Sequence, residues 1–499
     1  MNIALILDMA ADAAADRIGL VCGDRRYTYG ELRSGAQGAA ALVLQSGAGC
    51  VALLDESSEA AVLALFGAAL AGVPYCPLNY RLADADLAAL LCRIAPALVV
   101  GDATRAARLS PDAGHILLTS DQLVAKSATT RSASYANINA ENEVAVQLFT
   151  SGTTASPKAA ILSHANLASY IFGTVEFGAA DDGDAVLVSV PPYHIAGIAS
   201  ILSSIYALRR IALLTAFTPE SWLDLADRER VTNAFVVPTM LSRIIEHMDK
   251  SGAPVGLSTL KSIAYGGGRM PTELIQLALD LFPSTDFTNA YGLTETSSTI
   301  ALLGPADHRA ARNASDARVR ARLGSVGKPL PTIELEIRDD DGRPAPAGEI
   351  GEVYVRGDQV SGRYKERSAL DADGWFPTRD AGYLDEDGYL FLCGRADDVI
   401  VRGGENISPG EIEDVLMTHP AVADVAAVAV PSQEWGEAVG VAVVVREGKA
   451  LPTTEELREL VRSRLRSSRV PETVRFLPNL PYNEMGKLLR REIKAGLAS

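Results

Sequence analysis

The segment Leu148-Phe-Thr-Ser-Gly-Thr-Thr-Ala-Ser-Pro-Lys-Ala-Ala160 governs how the rest of the chain is read. Hydroxyl and glycine residues crowd together ahead of Lys158, with apolar residues on both sides. Hydroxyls, free backbone N–H groups and one cation are what a polyphosphate needs. The G-x-x-x-x-G-K spacing is absent, and the next helix is expected only after Ser163, which suits an N-cap. The segment is therefore a loop between two short strands and not a Walker loop. By itself it fits a Ser/Thr/Gly connector with a surface lysine equally well.

Around it, Ala-rich helical runs alternate from Tyr27 to Val100 with short apolar runs such as Cys50 to Leu54 and Ala97 to Gly101. That alternation predicts βα units and a mostly parallel sheet. Ala185 to Val190, Asn233 to Val237 and Ser262 to Tyr265 are further compact runs, each followed by Pro, Gly or polar residues, where sheets of this kind build sites. Between Pro329 and Tyr364 the texture becomes β-branched alternation with Asp341-Gly342 as a turn, which reads as a small antiparallel subdomain. After Gly394 the chain restarts with a helix at Pro409 to His419, strands at Val425 to Val430 and Val439 to Val445, and a helix at Thr454 to Arg466: a compact α+β unit. The fold class is α/β, with a large N-terminal domain and a smaller C-terminal one, since 499 residues exceed what one core serves.

Composition excludes several classes of function. With 46 Lys and Arg against 62 Asp and Glu, the net charge of −16 repels phosphate backbones and anionic lipid, so neither nucleic acid nor a membrane is expected as a partner. No uncharged stretch is long enough to span a bilayer, and the first residues lack the basic region of a signal peptide. The five cysteines are scattered, without metal spacing, which points to a reduced, cytoplasmic enzyme without structural zinc.

A series of further motifs settles the ambiguity of the loop. Thr150-Ser-Gly-Thr-Thr-x-x-Pro-Lys158 resembles the phosphate loop of the adenylate-forming superfamily, which includes acyl-CoA synthetases, luciferases and peptide-synthetase adenylation domains. In that family's order follow Pro191-Pro-Tyr-His-Ile-Ala-Gly197, Asn289-Ala-Tyr-Gly-Leu-Thr-Glu295, Trp375-Phe-Pro-Thr-Arg-Asp380, Gly394-Arg-Ala-Asp-Asp-Val-Ile400, Gly403-Gly-Glu-Asn-Ile407 and Asn483-Glu-Met-Gly-Lys487. Tyr27-Thr-Tyr-Gly-Glu-Leu32 and Tyr75-Cys-Pro-Leu-Asn-Tyr80 match its early structural motifs, so the resemblance covers essentially the whole chain.

The resemblance implies an ATP-dependent carboxylic acid:coenzyme A ligase that forms an acyl-adenylate and then a thioester. Thr150, Ser151, Gly152, Thr153, Thr154 and Lys158 would hold the β- and γ-phosphates, Glu295 would bind the Mg²⁺ that travels with ATP, and Thr294 would donate to the α-phosphate. Asn289, Tyr291 and Gly292 would border the adenine, with the Gly266-Gly267-Gly268 turn admitting base and acyl group closely. Asp380 would accept from the ribose hydroxyls and Arg395 would reach the ribose from the other side. Lys487 would neutralise charge during adenylation, and Asp397 would be the hinge between a domain at 1–396 and one at 397–499. Gly403 and Gly404 would then line the pantetheine path, while His194 would border the acyl carboxylate and gate that path.

Three positions depart from the family pattern: Ala155, Ala159, and Arg379, where glycine usually precedes the ribose aspartate. No aspartate stands near Tyr193-His194 to hold an ammonium; Ile195, Ala196 and Ile198 are apolar. The expected substrate is an aliphatic or simple aromatic monocarboxylate. An acyl carrier protein in place of free coenzyme A is the alternative acceptor, and a nucleotide-binding sensor without turnover is the non-enzymatic one. Arg458, Arg462, Arg464, Arg466 and Arg469 form a solvated basic face beside a buried stripe of Leu457, Leu460, Val461 and Leu465, outside the site.

Overall fold

The computed structural model describes residues 1–111, 113–130, 143–150, 157–251, 257–339, 341–403, 405–482 and 488–497. Four sheets organise these residues. The largest has nine strands in the order Lys328–Pro329, Ser298–Leu303, Asp286–Leu293, Ser262–Gly266, Asn233–Val236, Ala185–Val188, Arg210–Leu213, Ile18–Cys22 and Arg25–Thr28. Its middle strands run parallel, Tyr265 standing opposite Asn289 and Ala234 opposite Leu187. Their C-terminal ends therefore share one edge, where βα sheets place their ligands.

A second sheet has seven strands in the order Arg363–Tyr364, Lys158–Ser163, Val144–Thr150, Tyr75–Pro77, Val51–Leu54, Leu98–Gly101 and Ile116–Leu118. Helices Tyr29–Ser46 and Glu59–Ala71 pack between the two large sheets, and one apolar core takes in strand residues from both. The sequence dictates this layering: Glu59–Ala71 has no polar face, so all 13 of its residues are buried. Tyr29–Ser46 starts at a capping box of Thr28 and Glu31 and ends at Gly47 in the left-handed region. Gly67 and Ala39 meet where these helices touch, a contact that larger side chains would push apart.

A four-stranded antiparallel sheet, Glu334–Arg338, Gly351–Arg356, Phe376–Leu384 and Leu390–Arg395, forms the expected subdomain. Its sequence limits need one correction. Arg363–Tyr364 leaves the subdomain and pairs with Ala160 and Ile161, extending the seven-stranded sheet. The β-branched texture could not separate the two, because alternation reports a pleated strand and not the sheet it joins.

The C-terminal unit is a five-stranded sheet with helices Pro409–Met417, Thr454–Arg464 and Arg490–Leu497. Val422–Ser432 and Gly436–Val445 pair antiparallel along their length around a separate apolar core that includes Leu457 and Val461. The chain crosses from the antiparallel subdomain into this unit through the single 3-10 turn Ala396–Asp398.

Candidate active site

Residues 289–295 form the meeting point of three sheets. The strand Asp286–Leu293 belongs to the nine-stranded sheet, and its end together with the turn that follows reaches both other sheets of the large domain through side chains. Tyr291 donates its hydroxyl to Asp380 Oδ2 at 2.7 Å, crossing to the antiparallel subdomain. Glu295 Oε1 accepts from the Tyr364 hydroxyl at 2.7 Å, crossing to the seven-stranded sheet.

The backbone between these contacts is turned sharply and held from several sides. Gly292 lies at a bulge where a Cβ would stand 1.8 Å from the Ser298 carbonyl oxygen, so only glycine fits. Thr294–Thr296 is a 3-10 turn, followed by Ser297 and Ser298 at φ of 56° and 109°. Non-glycine residues reach such angles only where the surroundings enforce them, at roughly 1–3 kcal/mol each. Here Thr296 Oγ1 caps the Leu293 N–H, and the fully buried Gln359 amide donates to the carbonyls of Thr296 and Thr299 at 3.1 and 2.8 Å. The N–H groups of Ser361 and Gly362 bind the Glu295 carbonyl. The strain presents Thr294 and Glu295 at the sheet edge.

On the subdomain side, Asp380 is buried, and each of its carboxylate oxygens has one donor, which leaves further acceptor capacity. Its Oδ1 receives Arg395 Nη1 at 2.9 Å, its Oδ2 receives Tyr291, and its N–H donates to Thr378 Oγ1. Burial, and then the carboxylate it touches, pushes the Tyr291 hydroxyl well above its ordinary pKa, so it stays a donor. On the other side, Lys158 sits with its ammonium 5.8 Å from the Tyr364 ring centre. Thr150 stands opposite Lys158 across the strand pair that flanks the loop. The helix after Ser163 begins with a capping box to Asn166. Lys158, Tyr364 and Glu295 thus form one contiguous group of cation, phenol and carboxylate.

Tyr364 is the member of this group that sequence reasoning missed. It stands just past Ser361-Gly362, whose amides hold the Glu295 carbonyl, a placement that only the fold shows. Burial, with Glu295 second, raises its pKa, so it too remains protonated and donating.

His194 precedes the helix Ile195–Tyr206, beyond the end of strand Ala185–Val188 and on the same sheet edge as Gly267, Gly268 and Glu295. Burial pushes its pKa down to about 4, so at neutral pH it is an uncharged imidazole. The Tyr193 ring lies against it, tilted by 51° with the centres 4.8 Å apart, and meets Tyr80 edge-on at 5.7 Å; Ile198, in the helix that follows, is buried. Gly267 and Gly268 lie against Val237 and Pro238 at the next loop along.

Other expected site residues have local duties. The Asn289 amide donates to the Ser325 carbonyl at 3.0 Å and is buried, tying the strand to its neighbour. Gly403 has φ of 58°, is exposed, and packs against the Trp435 ring. Asp397 is exposed in the turn between subdomain and C-terminal unit. Ser151, Gly152, Thr153, Thr154, Ala155, Gly404 and Lys487 lie outside the described residues.

Arg379, the departure beside Asp380, has φ of 64°. The position keeps the left-handed backbone of a glycine while carrying a long side chain, at a cost of about 1–2 kcal/mol. Its N–H and Nε face Glu352 Oε1 at 3.2 and 3.7 Å, and the side chain is 67% exposed, so the ion pair returns little. Arg379→Gly should therefore raise stability by about 1 kcal/mol in chemical denaturation. An unchanged or lower midpoint would refute that assignment of strain.

Comparison with known proteins supplies the family. Residues 7–365 match the family model described as AMP-binding enzyme, and residues 411–487 match the AMP-binding enzyme C-terminal domain. A 2-succinylbenzoate–CoA ligase of Bacillus cereus is 36% identical over 352 residues, covering 70% of this chain and 69% of that protein. A fatty acid–[acyl-carrier-protein] ligase of Streptomyces coeruleorubidus is 30% identical over 503 residues, covering 95% and 92%. The solved o-succinylbenzoate CoA synthetase of Bacillus subtilis, in complex with its acyl-adenylate intermediate, superposes with a TM-score of 0.83 at 28% identity over 98% of this chain and 97% of that one. The chain belongs to the adenylate-forming family of AMP-binding enzymes, and it is an AMP-forming acid–thiol ligase.

Proposed function

We propose that the site activates a carboxylic acid with Mg·ATP and passes the acyl group to the thiol of coenzyme A. The observation that carries this reading is the convergence on residues 291–295: a ribose-type carboxylate with its arginine on one side, a cation–phenol–carboxylate group on the other. A carboxylate oxygen attacks the α-phosphorus, pyrophosphate leaves, and the mixed anhydride is then opened by a thiol with loss of AMP. Asp380 accepts from the ribose hydroxyls. Thr294 donates to the α-phosphate, and Lys158 with the loop hydroxyls holds the leaving pyrophosphate. Asn289, Tyr291, Gly292, Gly267 and Gly268 frame the base, and Arg395 closes the ribose side.

The donor set fits magnesium. A single carboxylate, Glu295, with hydroxyls nearby suits a hard cation that brings most of its ligands as phosphate and water. Among the described residues no group of three His, Cys, Asp or Glu side chains could hold a metal alone. Magnesium supplies charge neutralisation across the phosphates.

Neutral His194 and the wall of Tyr193, Ile195 and Ile198 favour an uncharged acyl body, aliphatic or simple aromatic. The relative named for 2-succinylbenzoate favours an aromatic body, but that acid keeps a second carboxylate, which the apolar wall here does not match. Two half-reactions at one site require two placements of a small domain at 397–499, turning at Asp397, with Gly403 and Gly404 brought to the pantetheine path in the second. A cytoplasmic location belongs to this reading, the cysteines being scattered through the sequence. A second reading, an acyl carrier protein as acceptor, is favoured by the relative that matches nearly the full length.

Pyrophosphate release measured with Mg·ATP across linear, branched and aromatic acids, with and without coenzyme A, tests these readings. Multiple turnovers that require coenzyme A support the CoA ligase. Release of about one equivalent, indifferent to coenzyme A, supports the carrier protein. No release with any acid refutes both. Lys487→Ala should lower adenylation by about 10²–10³-fold while leaving thioester formation from supplied acyl-adenylate largely intact. Equal loss of both steps would remove Lys487 from its role.

A further inference from the structure

Arg269 directly follows the Gly266–Gly268 turn of the large domain, yet its partners are in the C-terminal unit. Its guanidinium donates to Asp414 and, at 3.4 Å, to Glu413 Oε2, both on the helix Pro409–Met417. It lies flat against Gly410 at the start of that helix, where a Cβ would stand 2.6 Å from Arg269 Cζ. Glu413 is at the same time clasped by Arg490 at 2.5 and 2.9 Å and by the Ala427 N–H at 2.8 Å. Arg490 is three residues beyond Lys487 in the sequence. A chain of charge therefore runs from Arg269, at the Gly266–Gly268 turn, through Glu413 to Arg490. Around it, Glu273 of the large domain feels Asp414, Arg446 and Arg464 of the small one, so the facing surfaces are charged on both sides.

The hairpin of Ile400–Arg402 and Glu405–Ile407 is held differently. Val401 is 45% exposed and Gly403 is exposed. Glu405 pairs with Arg469 of its own domain. In this arrangement the Gly403 end is not lodged against the large domain. Contact runs through the helix that Arg269 grips.

We infer that Arg269 is a positioning residue for adenylation: by holding Asp414 and Glu413 it fixes the placement of the small domain for the first half-reaction, and it releases them for the second. The inference rests on the two-placement reading above. The chemistry of the contact suits a reversible latch. A planar fork reaches two carboxylates and packs on a bare Cα, which an ammonium does not do. Side-chain exposures of 42% for Arg269 and 39% for Asp414 keep the bond breakable in each turnover. Glu413 and Arg490 stay paired inside the small domain.

The test separates the half-reactions. In Arg269→Ala, single-turnover pyrophosphate release should fall about tenfold, with KM for ATP unchanged and acyl transfer from supplied acyl-adenylate to coenzyme A within about twofold of wild type. Arg269→Lys should recover part of the loss. Gly410→Ala should reproduce it, because the added methyl occupies the seat of the guanidinium while helix propensity improves. Equal decline of both half-reactions, or pyrophosphate release within about twofold of wild type in both Arg269→Ala and Gly410→Ala, would overturn the inference. A wild-type enzyme that performs neither half-reaction overturns the functional reading and the inference together, so the two failures are distinguishable.

Discussion

Replacing Glu295 with glutamine should lower the rate of pyrophosphate release by about 10²–10³-fold while leaving the fold intact. Glutamine retains the oxygen that accepts the Tyr364 hydroxyl, so the bridge between the sheets survives and the denaturation midpoint should stay within error of wild type. What disappears is the negative charge. In the proposed role of Glu295, Mg²⁺ would then have one oxygen of weaker field in place of a carboxylate, and the phosphates would be less neutralised. Raising Mg²⁺ should recover part of the activity. Glu295→Ala should be worse in a second way, because it leaves the Tyr364 hydroxyl without its acceptor in a half-buried place. A Glu295→Gln enzyme within about threefold of wild-type turnover at low Mg²⁺ would remove Glu295 as the metal ligand.

The contrast between Glu295 and Tyr364 shows what a linear sequence reveals and what it conceals. Glu295 was legible because its neighbours form a compact motif, Asn289 to Glu295, whose order along the chain carries the resemblance. Neighbouring strands of its sheet were legible too: Asn233–Val236 and Ser262–Gly266 coincide within a residue with the apolar runs, since buried parallel strands read as short continuous apolar stretches. Tyr364 acts from 69 positions away, through a two-residue strand too short to show a period. Its sheet is chosen by pairing with Ala160, a long-range choice that no local pattern encodes. Arg379 is a third kind of case. The sequence marked it as a departure from glycine, but whether arginine strains the backbone depends on φ, which only the fold supplies. Arg269 lacked any signal because its partners belong to another domain.

Asp380→Ala should weaken the enzyme in two separable ways, and the sizes follow from its partners. In the folded protein the carboxylate is the shared acceptor of the buried Tyr291 hydroxyl and of Arg395. Removing it strands a phenol that has no water to turn to and an arginine that loses its counter-charge, a penalty of about 3 kcal/mol in chemical denaturation. The second loss is at the nucleotide. Two charge-assisted bonds to ribose hydroxyls, together worth roughly 3 kcal/mol, would be gone, raising KM for ATP about 100-fold. Asp380→Asn separates the two. It keeps the volume and one acceptor, which Tyr291 can retain, but turns an N–H₂ toward Arg395, so stability should fall by less than in alanine while ATP binding still suffers. If Asp380→Ala kept wild-type stability, the buried network would not be what joins the strand of Tyr291 to the subdomain. If it lost stability while KM for ATP stayed within about threefold, the carboxylate would be a structural tie between sheets and the ribose would be held elsewhere. Tyr291→Phe sharpens the distinction: it frees one carboxylate oxygen without removing charge, so it should cost about 1 kcal/mol of stability and leave KM for ATP nearly unchanged.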